Sequence, residues 1–517
     1  MVSRLSQMVR HAMIMMVGTF ASRILGLARE IITAALFGAS SQLDAFYVAY
    51  TLANLTRQLL AEGALSAAFV PVFSQTLVRD GKKHAASLAR QALSVLLIAG
   101  IETVICGILL SPVLVKVMAP GFGGTKYGLA ISLTRLMFPF LILMSLAALA
   151  MGVLNSLDSY FIPSVAPALS NVAFIVIVAF TGIKWGVWSL AVAVLAGGVL
   201  QFALQWIWSA GVGVLLVPAK PDMSDKELRR MLTLFLPYAA GLSLNQVNPV
   251  ISRMLASFLE DGSISVLNYA NRIIQLPLGL FVIAISQAVL PELSRCSIGM
   301  KDEFRAMIRD SIRFTLFVVL PATVGLVIIS GPMVHLLFVR GAFDDWAWHS
   351  TSRALVMYAL GLPGMACTTV IMRGLYAKSM PRDAMLVTLS SVLSNILLSF
   401  ALMPLFSFAG LALATSLAFT ISAFIGSRRL TKVIEYDLGI FSPAWVLKLL
   451  IALGLMACLL LGLGYIWVYP SGAGLRMESL WLLLNILTGM LSYGLISRKL
   501  GFEEWKWVEG AIKSREA

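Results

Sequence analysis

Residues 17–75 read VGTFASRILGLAREIITAALFGASSQLDAFYVAYTLANLTRQLLAEGALSAAFVPVFSQ. The stretch is apolar enough to lie in a bilayer, yet it carries Arg23, Arg29, Glu30, Asp44, Arg57 and Glu62. A charged side chain near the bilayer centre costs at least about 2.5–3.5 kcal/mol on insertion scales. Such residues face a water-filled cavity or one another, and they mark substrate and ion paths. Two consecutive spans with these charges predict a hydrophilic, charged chamber inside a membrane protein.

The rest of the chain agrees with a membrane setting. It has 517 residues, 59% of them apolar and 12% charged, with a mean hydropathy of +0.89. A soluble domain averages about 45–50% apolar and about 25% charged. Long apolar runs recur from residue 11 to residue 497. The fold class is therefore an all-α polytopic membrane protein. A transmembrane β-barrel would show alternating segments of about 10 residues instead. Hydropathy places about 14 transmembrane helices, at roughly 12–37, 45–74, 88–112, 129–153, 163–182, 187–216, 231–258, 266–292, 312–334, 351–376, 384–404, 409–427, 444–468 and 478–497.

The net charge of +14 would suggest nucleic acid in a soluble protein. Here most of the surplus lies in short loops on one side. Arg79, Lys82, Lys83, Lys220, Lys226, Arg229, Arg230, Lys301, Arg305, Arg428 and Arg429 stand there, against Lys116, Lys126, Lys184, Arg340 and Arg476 on the other. The positive-inside rule explains the surplus without a nucleic-acid partner and puts both termini in the cytoplasm. The expected location is a membrane that borders the cytoplasm, which the family resemblance given below narrows to a bacterial cytoplasmic (inner) membrane. Four cysteines, Cys106, Cys296, Cys367 and Cys458, lack metal spacing and read as buried, inert residues. The four histidines form no cluster, so no metal is expected. No catalytic constellation, no phosphate-binding glycine loop with lysine and no ATPase domain is found. The chain reads as a transporter, not an enzyme. It needs no cofactor and is driven by Na+, H+, the membrane potential or the substrate's own gradient.

The chain also repeats itself at an offset of about 218–224 residues. AFVPVFSQ (68–75) echoes AVLPELSR (288–295), LSN at 169–171 echoes LSN at 393–395, and Gly186 and Gly410 follow at equal distances. The expected domains are a six-helix lobe over 1–216, a cytoplasmic linker over 217–230, a pseudo-symmetric six-helix lobe over 231–430, and two further helices with a cytoplasmic tail over 431–517. Substrate sites in repeat-built transporters lie between repeats near the midplane.

Arg253 and Arg272 of the second half match the first and second spans of the first half. Arg23, Arg29, Arg57, Arg253 and Arg272 are the candidate substrate-binding residues. Guanidinium stays charged on burial and offers a bidentate fork to phosphate oxygens, so converging arginines suit a phosphate or pyrophosphate. Each also has a structural reading as an interfacial or internally paired residue. Glu30, Asp44, Glu62 and Glu102 are the candidate cavity acids. They read either as ion-handling and gating groups or as simple counter-charges, and Asp44 also as a helix cap. Asn248, Ser252, Asn395, Ser399 and Thr415 could line a cation site through neutral oxygens, although interhelical hydrogen bonding is the commoner role.

At SRILGLAREIITAALFGAS (22–40), DAFYVAY (44–50), NLTRQLLAEGALSAAFVPVFSQ (54–75), MLASFLEDGSISVLNYANRIIQLPLG (254–279), AVLPELS (288–294) and FVRGAFD (338–344) the chain resembles the lipid II flippase family, MurJ or MviN. That family lies within the multidrug/oligosaccharidyl-lipid/polysaccharide exporter superfamily. The resemblance implies a V-shaped central cavity between two lobes and two extra helices forming a groove for a lipid tail. The substrate implied is undecaprenyl-pyrophosphate muropeptide, exported by alternating access for cell-wall synthesis. Partners would be that lipid, membrane lipids and cell-wall synthesis proteins. The family's cavity arginines match Arg23, Arg29, Arg57 and Arg272, and its acids match Asp44 and Glu62. Glu30 stands where a carboxylate is common. Gln275 replaces a frequent acid, and Ser252 and Ser399 stand near carboxylates that help bind sodium in some relatives. Rival readings are a flippase of another polyprenyl-linked glycan, a cation-coupled drug antiporter of the same superfamily, and a non-transporting scaffold.

Overall fold

Lipid offers no hydrogen bonds to a backbone, so an apolar run satisfies its own amides by coiling. The computed structural model describes residues 21–58, 64–243, 246–296, 301–434 and 439–507. Helices cover most of them, and no strand occurs among the described residues. In order they are α1 (21–37), α2 (Ser41–Arg57), α3 (Ala64–Leu109), α4 (Ser111–Met118), α5 (Gly124–Met137), α6 (Phe140–Ser156), α7 (Phe161–Trp185), α8 (Trp188–Gly211), α9 (Lys226–Ser243), α10 (Val247–Ala256), α11 (Ser263–Pro277), a π-helical turn (Leu278–Val282), α12 (Ile283–Cys296), α13 (Lys301–Phe338), α14 (Asp345–Ala359), α15 (Leu362–Ala377), α16 (Pro381–Ile434), α17 (Pro443–Ile466) and α18 (Leu475–Lys499).

Nine of the described helices are long and apolar enough to cross a membrane, or ten if α14 and α15, bent by 41° at their break, form one span. The expected figure of about fourteen is not confirmed at this level. Two of the elements, α3 and α16, each hold two helical pieces that meet at a kink. α3 runs through the polar RDGKKH at 79–84 and breaks its helical geometry only at Gly81 (φ 80°). α16 covers two expected spans and turns at Ser407 (φ 53°, ψ −135°).

The repeat is visible in the backbone. Asp158 (φ 58°) and Ser379 (φ 55°) are both left-handed, 221 residues apart. Gly186 (φ 54°, ψ −143°) and Ser407 share another unusual conformation at the same offset of 221. Non-glycine residues with positive φ are uncommon, so coincidence twice at one offset marks two copies of one chain path.

Packing groups the chain into two units. The first is Met1–Ser265 with Arg340–Phe343, and the second is Val266–Val339 with Asp344–Ala517. The core of the first joins Leu65, Phe69 and Phe73 of α3 to Leu149 and Val153 of α6 and to Leu228 and Met231 of α9. The linker lies along α3. Gln91 accepts from the Asp222 amide at 2.9 Å, Ser94 accepts from that of Ala219 at 2.9 Å, and Arg90 donates to the Leu215 carbonyl at 3.0 Å. In the second unit Phe304, Ile308, Ile312 and Phe317 of α13 pack with Trp445, Leu449 and Met456 of α17, Tyr493 of α18, and Phe502. The last two helices thus dock on α13. Cys106 and Cys458, expected inside, are exposed, and Cys296 and Cys367 are half-buried. A thiol is apolar enough to stand on a lipid face.

The loop Arg340–Phe343 packs on the end of α1, backbone against backbone. The Ala342 amide donates to the Ala35 carbonyl at 2.8 Å. Gly38 (φ 58°) and Gly341 (φ 60°) make the approach possible, because a Cβ on Gly38 would strike the Ala342 carbonyl and one on Gly341 the Ala35 carbonyl. A left-handed L-residue alone costs about 1–2 kcal/mol. Gly38→Ala and Gly341→Ala should each lower the thermal unfolding midpoint by several degrees. Gly454→Ala, in open space on a helix, should leave it unchanged.

Candidate functional site

The charges of α1 and α2 form a chain of contacts. Arg29 and Glu30 are sequence neighbours, and neighbours on a helix do not face each other. Arg29 nevertheless folds back, its Nη2 donating to Glu30 Oε1 at 2.9 Å. Glu30 is only 4% exposed, and its Oε2 accepts from the Tyr47 hydroxyl at 2.8 Å. The Arg29 guanidinium stands over the Phe174 ring of α7 at 5.1 Å and near the Tyr50 ring at 5.9 Å. The Tyr50 hydroxyl lies beside the guanidiniums of both Arg29 and Arg57. Arg57 Nε donates to Asn54 Oδ1 at 2.7 Å, one turn earlier. A desolvated cation over aromatic faces is attracted by the ring quadrupole. The first unit thus holds two arginines whose orientation is set by rings, an amide and one buried carboxylate.

Asp44 forms a second node. It is 1% exposed and accepts four hydrogen bonds. These come from Lys126 Nζ (3.0 Å), the Gly262 amide (2.8 Å), the Ser265 amide (2.9 Å) and the Ser265 hydroxyl (2.7 Å). The two amides begin α11, so the carboxylate complements that helix's positive end. Lys126 is shared with Asp261 at 2.7 Å and sits over the Phe122 ring at 4.2 Å. Beside it, the Gly121 amide donates to Ser257 Oγ at 3.0 Å, and a Cβ on Gly121 would strike the Ser257 carbonyl.

The other expected residues are spread out. Arg23 on α1 and Arg253 and Ser252 on α10 are half-buried in the first unit. Arg272 on α11 is half-buried in the second, with Gln275 exposed. Glu62 lies outside the described residues. Glu102 is exposed on α3, next to exposed Ile101 and Ile105, away from the Arg29 cluster in contacts. Of the neutral set, Asn395, Ser399 and Thr415 come together. Asn395 donates to Thr415 Oγ1 at 3.0 Å and accepts from the Ser399 hydroxyl at 3.2 Å, and Thr415 donates to the Leu411 carbonyl at 3.0 Å. Asn248 stands in the other unit, its buried Oδ1 without a partner among the described residues. Tyr47, Tyr50, Phe174, Lys126 and Ser265 were not singled out from sequence. The signal for Tyr47 is the polar spacing Asp44, Tyr47, Thr51, Asn54, which places one stripe along α2.

The second unit carries an apolar groove of about 430 Å³. Its lining includes Leu276 and Pro277 of α11, Pro321, Gly325 and Ile329 of α13, Met456 and Leu460 of α17, and Asn485, Gly489 and Tyr493 of α18. Pro321 has no N–H for the Phe317 carbonyl one turn back, and the Tyr493 hydroxyl donates to it at 2.9 Å. Gly325 leaves open space where a side chain would stand. At one end His335 Nδ1 meets the Tyr469 hydroxyl at 3.0 Å, and that hydroxyl donates to Glu478 Oε2 at 3.1 Å. Burial and the Glu478 carboxylate push the Tyr469 phenol up, which keeps it protonated. This knot ties the loop between α17 and α18 to α13.

The family model described as lipid II flippase MurJ matches residues 33–477. A probable lipid II flippase MurJ of Rhizobium tropici is 34% identical over 500 residues, 93% of this chain and 92% of the relative. The lipid II flippase MurJ of Burkholderia cenocepacia is 33% identical over 441 residues, 83% and 84% of the two chains. A solved lipid II flippase MurJ in an inward closed conformation superposes with a TM-score of 0.79 at 28% identity, covering 94% of this chain and 98% of that one. A multidrug resistance MATE family transporter of the MOP superfamily, inward-facing, gives a TM-score of 0.68 at 16% identity over 80% of this chain and 94% of its own, a likeness of fold. This multi-pass, all-helical membrane protein belongs to the lipid II flippase MurJ family.

Proposed function

We propose that this protein is a transporter, not an enzyme, that moves lipid II from the cytoplasmic to the outer leaflet by alternating access. Family membership supports the substrate. The observation that carries the mechanism is Arg29, a desolvated guanidinium fixed by Glu30 and two aromatic rings, with Arg57 beside the same tyrosine. In this reading Arg23, Arg29, Arg57, Arg253 and Arg272 bind the pyrophosphate, and the sugar-peptide headgroup enters a hydrophilic chamber. The polyprenyl tail lies in the groove of α13, α17 and α18. The Asp44 node and the glycine contacts of Gly38, Gly121 and Gly341 are outer-side fastenings that part when the headgroup leaves. Both termini are cytoplasmic, the membrane is the bacterial inner membrane, and wall-synthesis proteins act on the delivered product.

The driving force we favour is the membrane potential. Negative inside, it promotes outward movement of an anion by about 2.3 kcal/mol per charge per 100 mV. Asn395, Ser399 and Thr415 carry no charge, and their hydrogen bonds to one another and to Leu411 compete with Na+ for the same oxygens.

In a strain conditionally depleted of its lipid II flippase, the wild-type chain should restore growth. Arg29→Ala, Arg57→Ala and Arg272→Ala should fail although inserted at wild-type levels. Rescue by all three would sink the arginine mechanism. In the groove, Gly325→Leu fills space meant for the tail and should lower rescue at unchanged thermal stability. Full rescue there would remove the groove from the account.

A further inference from the structure

We infer that Tyr47 is a positioning residue for the substrate-binding arginine, acting on Arg29 through Glu30. The inference rests on the function proposed above. The geometry is a relay of three groups on two helices. The Tyr47 hydroxyl of α2 donates to Glu30 Oε2 at 2.8 Å, and Glu30 Oε1 accepts from Arg29 Nη2 at 2.9 Å. Tyr47 and Glu30 are each 4% exposed, so water does not substitute easily for either partner.

The chemistry explains why a phenol stands there. Arg29 and Glu30 leave α1 in different directions, because adjacent helical residues diverge by about 100°. Their pairing depends on a carboxylate held turned towards Arg29. A neutral donor on the far oxygen does that without cancelling the charge. Lysine or arginine at 47 would neutralise Glu30 and release Arg29. Phenylalanine would leave Oε2 buried without that donor. Tyr47 is itself braced, its ring 5.6 Å from Phe46 and its carbonyl accepting from the Thr51 hydroxyl at 2.6 Å. The guanidinium is then held with one nitrogen on Glu30 and its carbon 5.1 Å from the centre of the Phe174 ring. A guanidinium has five N–H donors, so an edge so oriented can still fork onto phosphate oxygens.

The test uses the full chain in nanodiscs and undecaprenyl pyrophosphate as the probe, with affinity read by native mass spectrometry and folding by thermal unfolding. Tyr47→Phe should bind roughly tenfold more weakly, the scale of one hydrogen bond to a charged group, while still folding, with an unfolding midpoint lowered by no more than a few degrees. In an Arg29→Ala background, Tyr47→Phe should add no further loss, since groups acting in series do not add. If Tyr47→Phe does not fold, Glu30→Gln, which keeps the shape, carries the same expectation through the same cycle. Wild-type affinity in Tyr47→Phe while Arg29→Ala binds weakly overturns this inference and leaves the proposed function standing. Equal losses from Tyr47→Phe in both backgrounds overturn it too, since the role is then structural. Wild-type affinity in Arg29→Ala overturns the arginine mechanism and this inference together.

Discussion

A cation inside an apolar bundle must be balanced where it stands, and the first unit is arranged around that constraint. Arg29 is held by a carboxylate one residue away, which is itself held by a tyrosine on the next helix. Aromatic rings replace water on the guanidinium faces. The arrangement balances the charge without burying it behind a full set of counter-ions. Arg57, tied to Asn54 one turn earlier, stands on the same helix as the tyrosine that holds Glu30. Loss of one partner from a buried charged pair is strongly destabilising, which explains why the supports are built into α2 as a stripe and not left to a loop.

The same economy of contacts occurs at Asp44. Its four hydrogen bonds reach across α2, α5 and the start of α11. Nearby, Gly38 and Gly341 allow two backbones to meet with no side chain between them. Contacts of this kind are short-ranged and all-or-none. The groove is a contrast, lined by side chains without formal charge, with a proline-freed carbonyl capped by Tyr493. The Arg29 cluster lies in the first unit and this apolar groove in the second.

Much of this was legible from residues alone. Charges in the apolar stretch 17–75 pointed to α1 and α2; backbone conformations recur at an offset of 221, at 158 and 379 and at 186 and 407, so Gly186 pairs with Ser407 where the sequence suggested Gly410. What sequence could not provide was pairing. Glu30 reads equally as an ion ligand or a counter-charge until Tyr47 and Arg29 are seen on its two oxygens. Glu102 looked like an interior acid because its neighbours are apolar, but a helix in lipid is apolar on both faces, so periodicity cannot tell inside from outside. The span count differs in part because α3 and α16 each join two helical pieces at a kink, at Gly81 and at Ser407. Lys126 was invisible because its partners, Asp44 and Asp261, are 82 and 135 residues away.

The most direct measurement is leaflet transfer of fluorescent lipid II by the purified chain in liposomes under an imposed potential, compared with Arg29→Ala of equal thermal stability. The account predicts transfer by the wild type towards the positive side and none above the protein-free rate by Arg29→Ala. Equal transfer by the two proteins, or no transfer by a well-folded wild type, would contradict it.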